Sequence, residues 1–501
     1  MKPAFDIAAL NISWPSILPL IAVTVTAVLV LLIGVHVEDD DSAGLGWLSL
    51  GGLIVALFLS FALFGKQEQA FAGAIALDNF TAYFYVVILL VAGVTVLMSL
   101  DYVRELGLAG AEYYALTLFA TIGMMLMAAA GDLIIIFLGL ETMSISVYVL
   151  AGLVRRQPKS SEAALKYFIL GAFSTGFLLY GIALLYGATG SIKLNAIGIA
   201  MRHAAGSNNP LLLLGLGMLL IGFGFKVAAV PFHMWTPDAY EGAPTSVTAF
   251  MAAGVKLAAF AGFVRLFIVH LWPVRAEWSM VLWVMAVATM VAGNLIAVMQ
   301  SNVKRMLAYS AIAHAGYILV AMTAGGPSAG TAILFYLLGY VFTNLGAFAV
   351  LIALARRGEA HDTIADLRGL SARQPMLAAA MAIFMLSLTG VPPLAGFIGK
   401  FYLFAAAIES GYVGLVVIAS IMSTVSAYYY IGVIVAMYMS EGGTSIIPLR
   451  VRPTLAAAVA IAVVGTVIIG VYPGPYLEAA ASAFTSAYGP RPSPGMMIPM
   501  P

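Results

Sequence analysis

An all-α polytopic membrane protein with about 14 transmembrane helices is the fold class this sequence predicts, on three observations. Of its 501 residues 62% are hydrophobic and only 9% are charged, where a soluble domain carries about 25% charged residues. Apolar stretches of about 20 residues, the length a helix needs to cross a bilayer, recur along the whole chain. The ten-residue alternation of a membrane barrel is absent. There is no cysteine, which excludes disulfides and cysteine-ligated clusters. A net charge of +1 implies no nucleic-acid partner. The partner that composition does specify is the lipid bilayer.

The spans read, in order, 12–35, 46–65, 79–100, 112–130, 132–154, 164–188, 211–237, 245–271, 279–300, 305–324, 331–355, 375–411 with a break, 412–439 and 453–472. The first follows Lys2 and has no small-residue cleavage site behind it, so it reads as a span rather than a signal peptide. Four of the 23 Lys and Arg fall well inside spans, away from their first few residues: Lys226, Lys256, Arg265 and Lys400. On one side lie 13 more: Arg104, Arg155, Arg156, Lys159, Lys166, Lys304, Arg305, Arg356, Arg357, Arg368, Arg373, Arg450 and Arg452. The other side has 6: Lys2, Lys66, Lys193, Arg202, Arg275 and Arg491. The richer side is predicted to be cytoplasmic, which places both termini in the periplasm of a bacterial inner membrane. Asp39, Asp40 and Asp41 read as a solvated cytoplasmic turn, and the Pro- and Met-rich tail 489–501 as irregular.

The sixth and eleventh spans resemble each other. Tyr167-Phe168-Ile169-Leu170-Gly171 precedes Ser174-Thr175, and Phe335-Tyr336-Leu337-Leu338-Gly339 precedes Thr343-Asn344. The seventh and twelfth share a Val-Pro break, at Val230-Pro231 and Val391-Pro392. An odd displacement in span number inverts the second copy, so spans 4–8 and 9–13 are predicted to be two inverted five-helix repeats with broken helices 7 and 12. The expected divisions are an N-terminal three-helix segment at 1–105, repeats at 106–272 and 273–440, and a last helix with its tail at 441–501. Proline breaks free backbone carbonyls that need other partners, so Pro231, Pro392 and Pro393 point to polar centres. His233, just after Pro231, reads as fixing its break.

Glu141, Lys226, Lys256 and Lys400 lie near the middle of four separate spans. A charge at that depth costs about 2.5–3.5 kcal/mol even on gentle insertion scales. Four such residues beside two helix breaks imply a proton or ion path. Burial discourages the charged form of either residue type, and an opposite charge nearby restores it, so a Glu–Lys pair that opens and closes would switch proton affinity. A static salt bridge is the competing reading, and three lysines against one glutamate count against it. His314, midway along its span, reads as either a relay or a packing residue. Lys166, four residues after Glu162, reads as a snorkelling boundary charge or, preferably, a partner for Glu141. Arg265 is placed to snorkel toward its helix end, and Asp132 to cap a helix start. Ser144, Ser146, Ser174, Thr175, Thr248, Tyr317, Thr343 and Asn344 are polar enough to hold water along a path, or to serve as helix-packing contacts.

The stretch Pro231-Phe232-His233-Met234-Trp235-Thr236-Pro237-Asp238-Ala239-Tyr240-Glu241-Gly242-Ala243-Pro244 closely resembles the signature of the antiporter-like membrane subunits of respiratory complex I, a pattern shared with Mrp-type cation/proton antiporters. The resemblance covers essentially the whole chain. Within the family it is most similar to the N-type subunit of NADH–quinone oxidoreductase. Only one span and a short tail follow span 13, unlike the L type with its lateral helix, and Lys400 stands where the M type has glutamate. Lys166-Tyr167 is also N-like. The resemblance implies a proton-translocating subunit in which Glu141 and Lys226 are the coupling pair, Lys256 passes the proton on, and Lys400 exchanges it with the periplasm. It implies no cofactor in this chain, FMN and iron–sulfur clusters in partner subunits, and other antiporter-like subunits as neighbours. A subunit of a Mrp-type antiporter is the alternative.

Overall fold

The computed structural model describes residues 14–37, 43–206, 209–355, 361–440 and 451–488. The expectations for Lys2, Asp39 to Asp41, Arg356, Arg357, Arg450 and the tail 489–501 lie outside them. The described residues are almost entirely helical. In chain order they run α1 (Trp14–Gly34), α2 (Ala43–Phe61), a small hairpin of β1 (Glu68–Ala70) and β2 (Ile75–Leu77), then α3 (Asn79–Ser99), α4 (Gly110–Ala128), α5 (Leu133–Ala151) and α6 (Pro158–Thr189). After these come α7 (Leu194–Ala204), α8 (Pro210–Lys226), α9 (Thr236–Gly242), α10 (Thr245–His270), α11 (Arg275–Val298), α12 (Val303–Ala324) and α13 (Gly326–Leu354). The described residues end with α14 (Pro375–Thr389), α15 (Ala395–Glu409), α16 (Val413–Met439), α17 (Pro453–Val471) and α18 (Gly474–Tyr488). Among the described residues twelve helices are long and apolar enough to cross a membrane, and α8 and α14 are shorter apolar helices.

Local chemistry sets the ends. Asp78 and Asp132 accept hydrogen bonds from Thr81 N and Ile135 N at 2.8 and 2.7 Å, capping α3 and α5. Asp132 is the helix cap the sequence suggested. Proline at the first turn starts α6, α8, α14 and α17, where its missing N–H costs nothing.

The helices are layered by burial. α10, α12 and α13 are almost wholly buried at the centre, while α1, α2, α16 and α17 turn most of their surface outward. α4 packs on α5, α6 on α8, and α11 on α12, while α13 touches α15, α17 and α18. Small residues allow the closest approaches. A Cβ added at Gly123 of α4 would lie 2.3 Å from Met143 N of α5. α18 was not foreseen. It follows the last span and is tied back to α3 by Asn79 Nδ2 donating to Ser482 Oγ at 3.0 Å.

The two breaks are capped alike. Neither Pro231 nor Pro392 can continue the helix that precedes it. α8 accordingly stops at Lys226 and α14 at Thr389. The first interruption thus begins just after Lys226, which lies five residues before the proline. Ala228 and Gly390 then turn left-handed, at φ 61° and 93°. Behind them Ala229 N donates to Gly224 O at 2.8 Å and Val391 N to Leu386 O at 3.0 Å, the six-to-one bond of a Schellman ending.

Candidate proton-transfer site

Lys226 is the last residue of α8 and only 2% exposed. Its Nζ donates to Ser144 Oγ at 2.7 Å and to Tyr148 OH at 3.0 Å. The rings of Tyr148, Phe225 and Tyr167 surround it at 5.1, 5.3 and 5.5 Å. Trp235 holds this corner together. It stacks flat on Tyr167 at 4.1 Å, and its Nε1 donates to the carbonyl of Phe225 at 3.0 Å, which also accepts from Ala228 N.

Glu141, Ser144 and Tyr148 share one face of α5, at spacings of three and seven residues. Glu141 lies one turn away from the lysine's contacts. It is half-buried and accepts from Thr175 Oγ1 of α6 at 2.8 Å. The ion pairs within 4.0 Å among the described residues do not include Glu141–Lys226. The structure brings both residues to α5 but leaves the pair open.

Lys256 sits on α10 where a wide-turned π stretch, Met251–Val255, hands over to α-helix. It is buried, donates to Ala311 O of α12, and lies 5.8 Å from the Tyr340 ring. His314, three residues along α12 from Ala311, is buried between Tyr336 OH at Nδ1 and Tyr430 OH, 3.1 Å from Nε2. One turn further, the Tyr317 ring lies 5.0 Å from Lys400 Nζ. Lys400 donates to Leu388 O, Thr389 O and Ser423 Oγ at 2.9, 2.9 and 2.8 Å. Its ammonium therefore sits at the carbonyl end of α14, the negative end of that half-helix. No carboxylate lies within 4.0 Å of Lys226, Lys256 or Lys400 among the described residues.

Two expectations are corrected. Lys166 does not reach Glu141; it pairs with Glu162 at 2.6 Å and Asp238 at 2.7 Å. One helix-turn spacing placed Glu162 closer, and the short α9 brings Asp238 beneath it. Arg305 completes the cluster, 2.8 Å from both Asp238 and Glu241, and Lys159 lies 2.9 Å from Glu241. Arg265 does not snorkel. It is 3% exposed and holds Asp78 in a fork of two 2.9 Å bonds, with a third to Thr81 Oγ1. The cap of α3 supplied a buried partner, so the guanidinium had no need of the interface.

His233 lies inside the break, where its carbonyl accepts from Thr236 N at 3.0 Å and its Nδ1 is buried without a hydrogen-bond partner. Pro231, Pro392 and Pro393 all fall in the interruptions. Tyr148, Tyr336, Tyr430 and Ser423 touch the central bases and were not singled out from sequence. Tyr148 was the most findable, seven residues from Glu141 on the same helix face. The chain lacks cysteine, and among the described residues no group of three or more His, Asp and Glu is placed to hold a metal.

Residues 130–426 match the family model described as NADH:quinone oxidoreductase/Mrp antiporter, transmembrane region. The subunit N of NADH-quinone oxidoreductase from Trichlorobacter lovleyi is 48% identical over 93% of this chain and 96% of its own length. This chain belongs to the subunit N family of NADH–quinone oxidoreductase. A chain of respiratory complex I from Thermus thermophilus superposes at a TM-score of 0.79 with 40% identity, covering 93% of this chain and 99% of that one. A chain of the Mrp complex from Dietzia reaches 0.82 at 22% identity, covering 96% and 98%, a likeness of fold alone.

Proposed function

We propose that this chain moves protons across the membrane along Glu141, Lys226, Lys256, His314 and Lys400, driven by quinone reduction in partner subunits of complex I. The observation that carries the reading is the row of buried bases with no carboxylate beside them. An unpaired lysine charge is expensive at that depth, so each holds its proton only while another charge balances it. Hydroxyls and backbone carbonyls already occupy the lysine ammoniums, an arrangement that permits loading and release without a fixed ion pair. Glu141 is half-exposed on the outer side of α5 and α6, where a neighbouring subunit's charge would be felt. A charge arriving there draws Glu141 away from or toward Lys226 and sends the proton to Lys256, then through His314 to Lys400. Lys166 belongs to the anchoring cluster at the basic side rather than to this row.

The finer architecture is part of the same reading. Counting each interrupted helix as one gives fourteen spans, with repeats at spans 4–8 and 9–13 and segments bounded near 105, 272 and 440. The matching caps at Ala228 and Gly390 support the repeat. The charge excess supports a cytoplasmic face at Lys159, Arg305 and Arg368 and periplasmic termini, in the inner membrane of a bacterium. Flavin and iron–sulfur chemistry would belong to partner subunits.

The test uses the intact complex in inside-out vesicles. Glu141→Gln and Lys226→Ala are expected to lower proton uptake per NADH oxidised while the subunit stays assembled; unchanged pumping in both would sink the proposal. Purification through a tag on this chain, with flavoprotein and iron–sulfur partners recovered, separates this reading from a Mrp-type assembly.

A further inference from the structure

A cavity of about 270 Å³ lies at the basic side, lined in part by Lys159, Glu241, Asn302, Lys304, His361 and Asp362. The central row does not use it. Lys304 forms its inner wall. It is 4% exposed, and its Nζ donates to Ala243 O at 2.7 Å, just past the end of α9. Lys304 and Ala311 are seven residues apart, on the same face of α12, so about 10.5 Å separates them along the axis. Ala311 O is the acceptor of Lys256. α13 runs alongside, with Leu351 and Ala355 lining the cavity. Asn344 and Tyr340 follow at helical spacing toward Lys256. Tyr340 OH and Asn344 Oδ1 are both buried without a hydrogen-bond partner, and such orphans mark where water is held.

We infer that Lys304 is a second proton-uptake site, loading Lys256 from this cavity independently of Glu141 and Lys226. An O–H bond of hydronium in the cavity breaks as an N–H bond forms at Lys304 Nζ. The proton then leaves inward by way of water at Asn344 and Tyr340, and an N–H bond forms at Lys256. The Asp362 carboxylate on the cavity lining favours hydrated protons there. The inference rests on the proton-translocation reading above.

The experiment measures proton uptake per NADH oxidised in inside-out vesicles carrying the complete complex. Lys304→Gln is expected to lower the ratio and to slow proton uptake through this subunit about threefold or more, a small part of the ~10²–10⁴ in rate that a positioned proton-transfer group supplies. Lys304→Arg separates roles. It keeps the charge and the donor to Ala243 O but does not release a proton. Uptake impaired in Lys304→Arg supports the site, whereas full rescue by arginine overturns it in favour of a structural donor. Ala355→Phe, which fills the cavity from its wall, is expected to slow pumping, and decides the matter if the Lys304 variants fail to assemble. Normal pumping in Lys304→Arg and Ala355→Phe, with Lys226→Ala impaired, overturns this inference alone. Normal pumping in Lys226→Ala and Glu141→Gln overturns the parent reading.

Discussion

Tyr148 and Ser144 are the direct partners of Lys226, and neither is ionised. Tyr148→Phe removes one of two hydrogen bonds to the lysine, worth about 1 kcal/mol, or about fivefold in an equilibrium. It is expected to reduce pumping by a few-fold while leaving membrane insertion unchanged; equal pumping in the variant would show that the ring alone matters. Asp78 is a different case. Removing it strands Arg265 in the interior, and breaking such a buried pair costs about 3–5 kcal/mol. Asp78→Ala is expected to cut the amount of assembled subunit recovered from membranes, and a double change of Asp78→Ala with Arg265→Met to restore much of it. Glu141, Lys226, Lys256 and Lys400 were legible in the sequence because a charge in a 20-residue apolar run has few reasons to be there. Tyr336, Tyr430 and Ser423 were not, since a tyrosine or serine is unremarkable in any span and only packing shows which one faces a base. Lys166 misled for the same reason: spacing along a helix gives its face, not the helix opposite.

At the scale of elements, the interruptions were foreseen from proline, but their starting points were not. The ring of a proline evicts the carbonyl four residues earlier, which moves the end of α8 back to Lys226. The left-handed residues that follow are unequal. Gly390 adopts φ 93° freely, and a Cβ there would lie 3.2 Å from Lys400 Cδ. Gly390→Ala is therefore expected to lose about 1–2 kcal/mol from backbone strain alone and to disturb Lys400 as well. Ala228 already bears that strain at φ 61°. Ala228→Gly should be stabilising or neutral in a thermal assay of the purified complex, and a loss there would show that its methyl packs usefully.

Across the whole molecule, the charged cluster of Lys159, Lys166, Asp238, Glu241 and Arg305 ties α9 to α6 and α12. Burial pushes the Asp238 and Glu241 carboxyls up, but hydrogen bonds from Lys166, Lys159 and Arg305 outweigh it and leave both below their ordinary values. A depressed carboxylate stabilises the fold above its unfolded pKa, about 4, and that contribution is lost as pH falls through the lower folded value. Hydrogen exchange over 236–242, corrected for intrinsic rate, is expected to stay flat from about pH 8 to 5 and to rise only below about pH 4. A rise near neutrality would mean that the cluster is not what anchors α9. The sequence could show an excess of basic residues on this side, because counting needs no geometry. It could not show that acids from α9 would meet them.

The hydrogen bonds of Lys400 tie chemistry to mechanics. An ammonium has three N–H groups, and here each has its own acceptor: Leu388 O, Thr389 O and Ser423 Oγ. A neutral amine has only two. Were the proton to depart, one of the three acceptors would be left bare, and where that is Leu388 O or Thr389 O the seam between α14 and α15 loses a stitch. Proton occupancy and the tightness of that seam are then a single variable, so a neighbour that pulls on α14 or α15 would change how firmly Lys400 holds its proton.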